Sequence, residues 1–352
     1  MCKRSFNRRQ FLRAAGAGIV AAGASSADAQ QREKRMPTRE FGNTGVAVSI
    51  LGMGGGSQFF KALPADPQAA EEKATEMLTA ALDGGMTYFD TANAYVRRGR
   101  RADGRRVTLY SSEHLYGLVL SKRRDECFVA TKVGARDRDG VLRQFEQSLE
   151  RLGMDRIDLL QLHSINPGDD LRAINGRTGA YQAFRELKEE GLIRFAGISG
   201  HSTAPHMRDA IDVLEGLDAA LFPVNAARDE RDRRGRFREQ PDSDIGHFKS
   251  LLLPHCIERG IAVISMKATA QGYLIGEGPG RADAQTLIRY AMSVSGVSCT
   301  IVGPGSVENL RANLAMAQQF RPMPSDEKRR LTAMLGDVAR EFAYAADGYA
   351  DV

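Results

Sequence analysis

What this sequence has little of narrows the possibilities first. Only four cysteines occur in 352 residues. They include no Cys-x-x-Cys pair, and no His/Cys group has metal-ligand spacing, so no structural metal is expected. Beyond Cys2, the thiols of Cys127, Cys256 and Cys299 are odd in number and far apart, which argues against a disulfide framework. Cys127 and Cys299 stand in or beside apolar runs, so buried thiols are expected. No apolar run reaches the roughly 20 residues of a membrane-spanning helix, so no stable membrane anchor is expected. No Pro/Ser-rich linker divides the chain. Charge of one sign is also scarce once it is located. The formal net charge is +5, but Lys3, Arg4, Arg8, Arg9 and Arg13 face Asp28 alone in residues 1–29, and the remainder is close to neutral. A nucleic-acid partner is therefore not expected. With 42% hydrophobic and 26% charged residues the composition is that of a globular protein, which excludes a disordered or collagenous one.

The N-terminal 29 residues have three parts. A basic stretch ends in Arg8-Arg9-Gln10-Phe11-Leu12, an Ala/Gly-rich run follows from Ala14 to Ala24, and Ala27-Asp28-Ala29 supplies a small-x-small cleavage pattern. Twin arginines before Phe-Leu resemble a twin-arginine (Tat) export signal. Residues 1–29 are thus read as a Tat-type signal peptide and 30–36 as a disordered stub. The Tat machinery is the expected partner of the leader, and the location is periplasmic or otherwise exported.

From residue 37 onward the chain reads as one domain. Two short extended runs flank Gly42-Asn43-Thr44-Gly45, a hairpin signal. Short apolar runs then recur at 50–53, 86–89, 127–131, 157–162, 194–198, 219–224, 261–266 and 299–302. Helical patterns fill the intervals, several of them closed by a glycine. Eight strands alternating with eight helices predict a single (β/α)8 TIM barrel, with an N-terminal β-hairpin and a C-terminal helical extension. Two connections are unusually long, Val96 to Ser112 and Ala226 to Gly246, and the simplest reading of both is a solvated loop.

In such a barrel the C-terminal ends of the strands build the active site. Three strand runs finish on an ionisable residue: Asp90, Lys132 and His163. Tyr95 lies on the loop just after Asp90. A phenol is a poor acid near neutrality, and a neighbouring ammonium favours its ionised form. A carboxylate orients the ammonium, and an imidazole donates to the substrate oxygen or the phenol. Proton delivery to a carbonyl oxygen as hydride reaches its carbon gives an alcohol.

These motifs resemble the aldo-keto reductase family from about Arg39 to Met316. The likeness rests on Arg39-Glu40-Phe41-Gly42-Asn43-Thr44-Gly45, Leu51-Gly52-Met53-Gly54, Tyr88-Phe89-Asp90-Thr91-Ala92-Asn93-Ala94-Tyr95, Ser112-Glu113-His114-Leu115-Tyr116-Gly117, Ala130-Thr131-Lys132 and Asp158-Leu159-Leu160-Gln161-Leu162-His163. The resemblance implies Asp90, Tyr95, Lys132 and His163 as a catalytic tetrad with Tyr95 as general acid/base. It implies a small-molecule carbonyl or sugar substrate, and NADP(H) as cofactor with NAD(H) the alternative. The implied cofactor positions are Ser199, Asn225, Met266, Lys267, Gly303, Ser306, Arg311 and Asn313. Several depart from the family pattern. Gly200 stands where an Asn is usual, Asn225 replaces a Gln, Met266 replaces an aromatic, and Gly305 replaces a base beside Ser306.

Two alternatives stay open. One is an exported barrel with a non-dissociating cofactor that passes hydride between two substrates in a redox-neutral cycle. The other is a non-catalytic regulatory or binding subunit, as in the potassium-channel β subunits that resemble this family. The connection after Tyr95 carries Arg97, Arg98, Arg100, Arg101, Arg105 and Arg106 against Asp103. Its root must lie at the rim of the mouth, which predicts a preference for anionic substrates such as a sugar acid or phosphorylated sugar. Holding the cofactor's phosphates is the rival use. Phe342, Tyr344 and Tyr349 are read as packing on a helix rather than reaching the mouth.

Overall fold

The structure is a computed structural model that describes residues 36–100, 103–201, 204–227, 248–278 and 280–335. The leader, most of the 226–246 connection and the three C-terminal aromatics lie outside the described residues.

The first two strands, β1 (Thr38–Glu40) and β2 (Ala47–Ser49), form the expected hairpin. It closes the N-terminal end of the barrel. Phe41, at its tip, is fully buried with its ring centroid 4.9 Å from Phe128 and 6.0 Å from both Tyr88 and Phe195. Burying one such ring contributes about 2–3 kcal/mol. Gly42 makes this approach possible: its φ is +55°, and a Cβ there would lie 2.5 Å from the Gly260 carbonyl oxygen.

The barrel follows. β3 (Leu51–Gly54) leads through α1 (Ser57–Lys61) and α2 (Pro67–Asp83) to β4 (Tyr88–Asp90). The β4 end gives rise to a second ribbon, β5 (Val96–Arg100) and β6 (Arg106–Ser111), then α3 (Ser112–Leu120). The units β7 (Phe128–Val133) with α4 (Arg138–Leu152), and β8 (Ile157–Leu162) with α5 (Leu171–Asn175) and α6 (Ala180–Glu189), come next. They are followed by β9 (Ile193–Ser199) with α7 (Ala204–Val213), and β10 (Ala219–Pro223) with α8 (Leu253–Glu258). The last are β11 (Ala262–Met266) with α9 (Ala284–Met292), and β12 (Val297–Val302) with α10 (Val307–Gln318), before the extension helix α11 (Ser325–Met334). The eight barrel strands pair in parallel and close as β10-β11-β12-β3-β4-β7-β8-β9. This is the (β/α)8 fold expected from the alternation.

Local chemistry explains the helix ends. Asp66 accepts from Ala69 N before Pro67 opens α2, Asp137 accepts from Gly140 N at α4, and Ser306 accepts from Asn309 N at α10. Gly153 ends α4 in the left-handed region at φ +63°. The helix before β11 starts as a π-helical turn at Phe248–Leu252. Pro254 lies just inside α8, and it has no N–H to continue the ladder.

The Val96–Ser112 connection is corrected by the structure. It is an antiparallel ribbon, not a solvated loop, with Val96 paired to Ser111 and Arg100 to Arg106. Its exposure alternates along both strands, the pattern of a ribbon with one packed face. The density of arginine hides the apolar half of that alternation, Val107, Leu109 and Tyr110, in the sequence. Gly104, at φ +82°, follows Asp103 in the turn.

Candidate active site

Parallel strands deliver their C-terminal ends to one mouth, and the register sets which residues share a level there. Asp90 lies opposite Gly54 and Ala130, and Lys132 lies opposite Gln161. The side chains of Asp90 and Lys132 are both almost completely buried and form an ion pair. Lys132 Nζ also donates to the Thr91 carbonyl oxygen at 2.9 Å. The second carboxylate oxygen of Asp90 accepts from Gln161 Nε2 at 3.0 Å. A buried charge pair is stable only when its remaining hydrogen-bonding capacity is filled, and here Thr91 and Gln161 do so.

Lys132 Nζ sits 4.9 Å from the centroid of the half-buried Tyr95 ring. The His163 ring meets Tyr95 edge-on, with centroids 5.6 Å apart at 78°. The structure therefore gathers Asp90, Tyr95, Lys132 and His163 into one cluster. On the β3 side the chain runs close under the phenol, and a Cβ on Gly56 would lie 3.5 Å from the Tyr95 ring.

The backbone is strained at the mouth. Among the described residues, four non-glycine residues have positive φ: Ser164, Lys267, Ala270 and Gln271, at 47° to 58°. All follow the C-terminal ends of β8 or β11, and such outliers cluster at binding and catalytic sites. Arg136 holds the first of them. Its guanidinium donates to the carbonyl oxygens of His163 and Ser164 and pairs with Asp169. Glu113 buttresses the next loop, accepting from Thr131 Oγ1 at 2.7 Å and pairing with Arg151, which also donates to the Asn93 carbonyl oxygen. Burial pushes the Glu113 carboxyl up from its ordinary range.

Gln161, Arg136, Asp169 and Glu113 do not stand out in the sequence as site residues. Gln161 is the most accessible of them to sequence reasoning, because it stands two residues before His163 and so shares its side of β8.

The eight cofactor positions are less uniform. Ser199 is fully buried and its Oγ accepts from Ser164 N at 3.0 Å, leaving its hydrogen to donate. Asn225 is engaged in tying loops, with Nδ2 donating to the Lys267 carbonyl oxygen and Oδ1 accepting from Ala227 N. Met266 packs in the barrel interior. Gly303 needs to be glycine for packing, since a Cβ would lie 2.9 Å from Gln58 Cβ. Gly305 opens onto space, where a Cβ would have Asn309 Nδ2 as its nearest neighbour at 3.6 Å. Arg311 is exposed whereas Asn313 is buried, and two residues apart on α10 they leave the axis about 200° apart. These two do not converge. Gly200 also has a structural reason: the Met207 side chain fills the place of any side chain there, with Sδ 2.2 Å from a Cβ.

A closed parallel barrel with a buried ammonium–carboxylate pair beneath a phenol at its C-terminal mouth is the architecture of a (β/α)8 oxidoreductase. The chain belongs to the aldo/keto reductase family, whose model matches residues 51–285. It is 27% identical to the L-galactose dehydrogenase of Arabidopsis thaliana over 338 residues, 84% of this chain and 92% of that protein. It is 27% identical to a D-threo-aldose 1-dehydrogenase of Pseudomonas, covering 67% of this chain and 70% of that one. An aldo-keto reductase of Bacillus halodurans has a similar fold, with a TM-score of 0.63 over 85% of this chain and 96% of that one at 24% identity.

Proposed function

We propose that this protein interconverts an aldehyde or ketone and its alcohol, with Tyr95 as general acid/base. The reading is carried by one relationship, the ammonium of Lys132 held beneath the Tyr95 ring by Asp90 and Thr91. In the reducing direction the Tyr95 hydroxyl gives its proton to the carbonyl oxygen, and the fixed Lys132 charge offsets the phenolate that remains. His163, edge-on to Tyr95, orients the oxygen between them. In the oxidising direction the phenolate accepts the alcohol proton. Positioned proton transfer of this kind contributes about 10²–10⁴ in rate.

A sugar is the favoured substrate class, because similar proteins are named as dehydrogenases of L-galactose and D-threo-aldose. The mouth suits a nicotinamide nucleotide. The Ser306-capped N-terminus of α10 presents backbone N–H groups to phosphate, the Ser199 hydroxyl has a hydrogen to donate, and Gly305 beside that helix start carries no side chain. NADP(H), or NAD(H) in its place, supplies the hydride when bound. Residues 1–29 address the chain to the Tat machinery, which Arg8→Lys/Arg9→Lys tests by retaining the precursor inside the cell.

The deciding experiment is Tyr95→Phe assayed for carbonyl-dependent nucleotide oxidation over a panel of sugars, aldehydes and ketones. A loss of about 10²-fold or more, with unchanged thermal unfolding, supports the reading. Activity above about half of wild type, or no turnover by the wild type with any carbonyl, favours a non-catalytic binding subunit instead.

A further inference from the structure

We propose that the β5–β6 ribbon is a cationic selector that gives the mouth a preference for carbonyl substrates carrying a carboxylate or phosphate. This rests on the oxidoreductase reading above. The ribbon is a closed excursion from the proposed proton donor: it leaves at Val96, and Ser112 N returns to donate to the Tyr95 carbonyl oxygen at 2.9 Å. Both of its ends are therefore fixed at the rim beside Tyr95.

One face of the ribbon holds it in place. Tyr110 packs on Phe60 of α1 with centroids 6.0 Å apart, and its hydroxyl donates to the Pro64 carbonyl oxygen at 2.7 Å. Leu109 packs against the main core, and Gly99 leaves room for it, since a Cβ there would lie 2.9 Å from Leu109 Cδ1. The other face carries Arg98, Arg100, Arg106 and Thr108, all exposed. The register sets Arg98 opposite Thr108 and Arg100 opposite Arg106.

Two arginines directly across a ladder repel each other, so this charge opposes ribbon formation rather than aiding it. Asp103 is the ribbon's one described carboxylate, and it pairs with Arg105. Arg98 and Arg106 make no ion pair among the described residues. Among the described residues the charge of Arg98 and Arg106 is thus uncompensated, and the ribbon that carries it is held by apolar contacts on the reverse side. Chain geometry keeps the Cα atoms of Arg97 and Arg98 within about 7–11 Å of that of Tyr95, and that of Arg106, across the ladder from Arg100, within about 20 Å. The shorter span is about one Debye length at physiological salt, about 8 Å, and both lie inside the length of about 30 Å at 0.01 M, so the field reaches the mouth most strongly at low salt. Clustered charge at a cleft raises the local concentration of the opposite ion and the on-rate.

The test compares Arg98→Ser/Arg106→Ser with a control of equal charge loss, Lys122→Ser/Arg156→Ser, at the opposite end of the barrel. Substrates are an aldohexose and the uronic acid that differs from it only by a carboxylate at C6. The ratio of kcat/KM, uronate over hexose, is measured at about 20 mM and about 500 mM salt. Cofactor Kd is read by fluorescence titration and uronate Kd by calorimetry. The expected result is a wild-type ratio well above one that falls about tenfold in the ribbon variant at low salt, collapses in high salt, and is kept by the control. An unchanged ratio overturns the proposal. So does a rise in cofactor Kd that lowers both substrates equally, which would assign the ribbon to the cofactor's phosphates. Absence of turnover of any carbonyl overturns the oxidoreductase reading alone, and the uronate Kd then decides. About tenfold weaker binding in the ribbon variant supports the selector, and equal binding removes it.

Discussion

Gln161 and Asp90, 71 residues apart, are joined inside the barrel by a hydrogen bond of 3.0 Å from Gln161 Nε2 to Asp90 Oδ2. With Lys132 on the other oxygen, the carboxylate is held from β7 and β8 at once and cannot rotate away from the ammonium.

Gln161→Leu leaves Asp90 Oδ2 buried without a donor. The expected cost is about 1–3 kcal/mol in chemical unfolding. Because Asp90 then turns more freely, kcat is expected to fall about tenfold with little change in KM. Gln161→Glu should be worse, since it sets a second carboxylate against Asp90. Wild-type kcat in the Leu variant would remove Gln161 from the positioning of Lys132.

Lys132→Met strands the Asp90 charge in the interior and is expected to cost about 3–5 kcal/mol. Lys132→Met/Asp90→Asn removes both charges, so stability should largely return while activity does not. Return of neither would mean that the pair's hydrogen bonds, not its charge, dominate the cost of the single variant. Thermal unfolding and kcat of the two variants separate the contributions.

Gly55→Ala should disturb Tyr95 from outside the cluster. A Cβ at Gly55 would lie 2.2 Å from Ser112 Oγ, and Ser112 N is bonded to the Tyr95 carbonyl oxygen. Overpacking of this kind costs about 1–3 kcal/mol. Gly55→Ala/Ser112→Ala deletes the clashing oxygen, so it should be more stable than the single variant. It should stay below wild type, because the Cβ still meets the Tyr116 ring at 3.0 Å and Thr91 Oγ1 loses its 2.9 Å partner. Unfolding midpoints give the comparison directly.

The three thiols should be inert in the native protein. Burial pushes Cys127 up to about 11 and Cys256 up to about 12, and raises Cys299 well above its ordinary range. Dithionitrobenzoate at pH 8 is expected to react with them only after denaturation. A thiol raised in the folded state contributes stability below its unfolded pKa, near 8.5, and loses it as pH climbs toward the folded value. Stability should therefore decline from about pH 8.5 to 12. Cys256→Ala should decline less steeply over that range, and an identical slope would show that this thiol does not contribute.

Much of the fold was legible in the sequence because its signals are local. Apolar runs of strand length alternating with capped, glycine-terminated helices announce eight βα units, and the end of each run can be read directly. Asp90, Lys132 and His163 are visible for that reason, as polar groups closing apolar strands. Gln161 is not, because it stands inside the run Leu159-Leu160-Gln161-Leu162, where nothing local marks a partner 71 residues away. The ribbon is hidden because six arginines mask a two-residue alternation whose packed face becomes evident only against Phe60 and Pro64. The cofactor positions depend on direction as well as order: on α10, Arg311 and Asn313 are neighbours in sequence but point apart. The sequence by itself determined the elements and their order, since backbone periodicity and capping act over a few residues. Which side chains meet was decided by tertiary structure, because closing β12 onto β3 sets one register for all eight strands and brings distant residues to a single mouth.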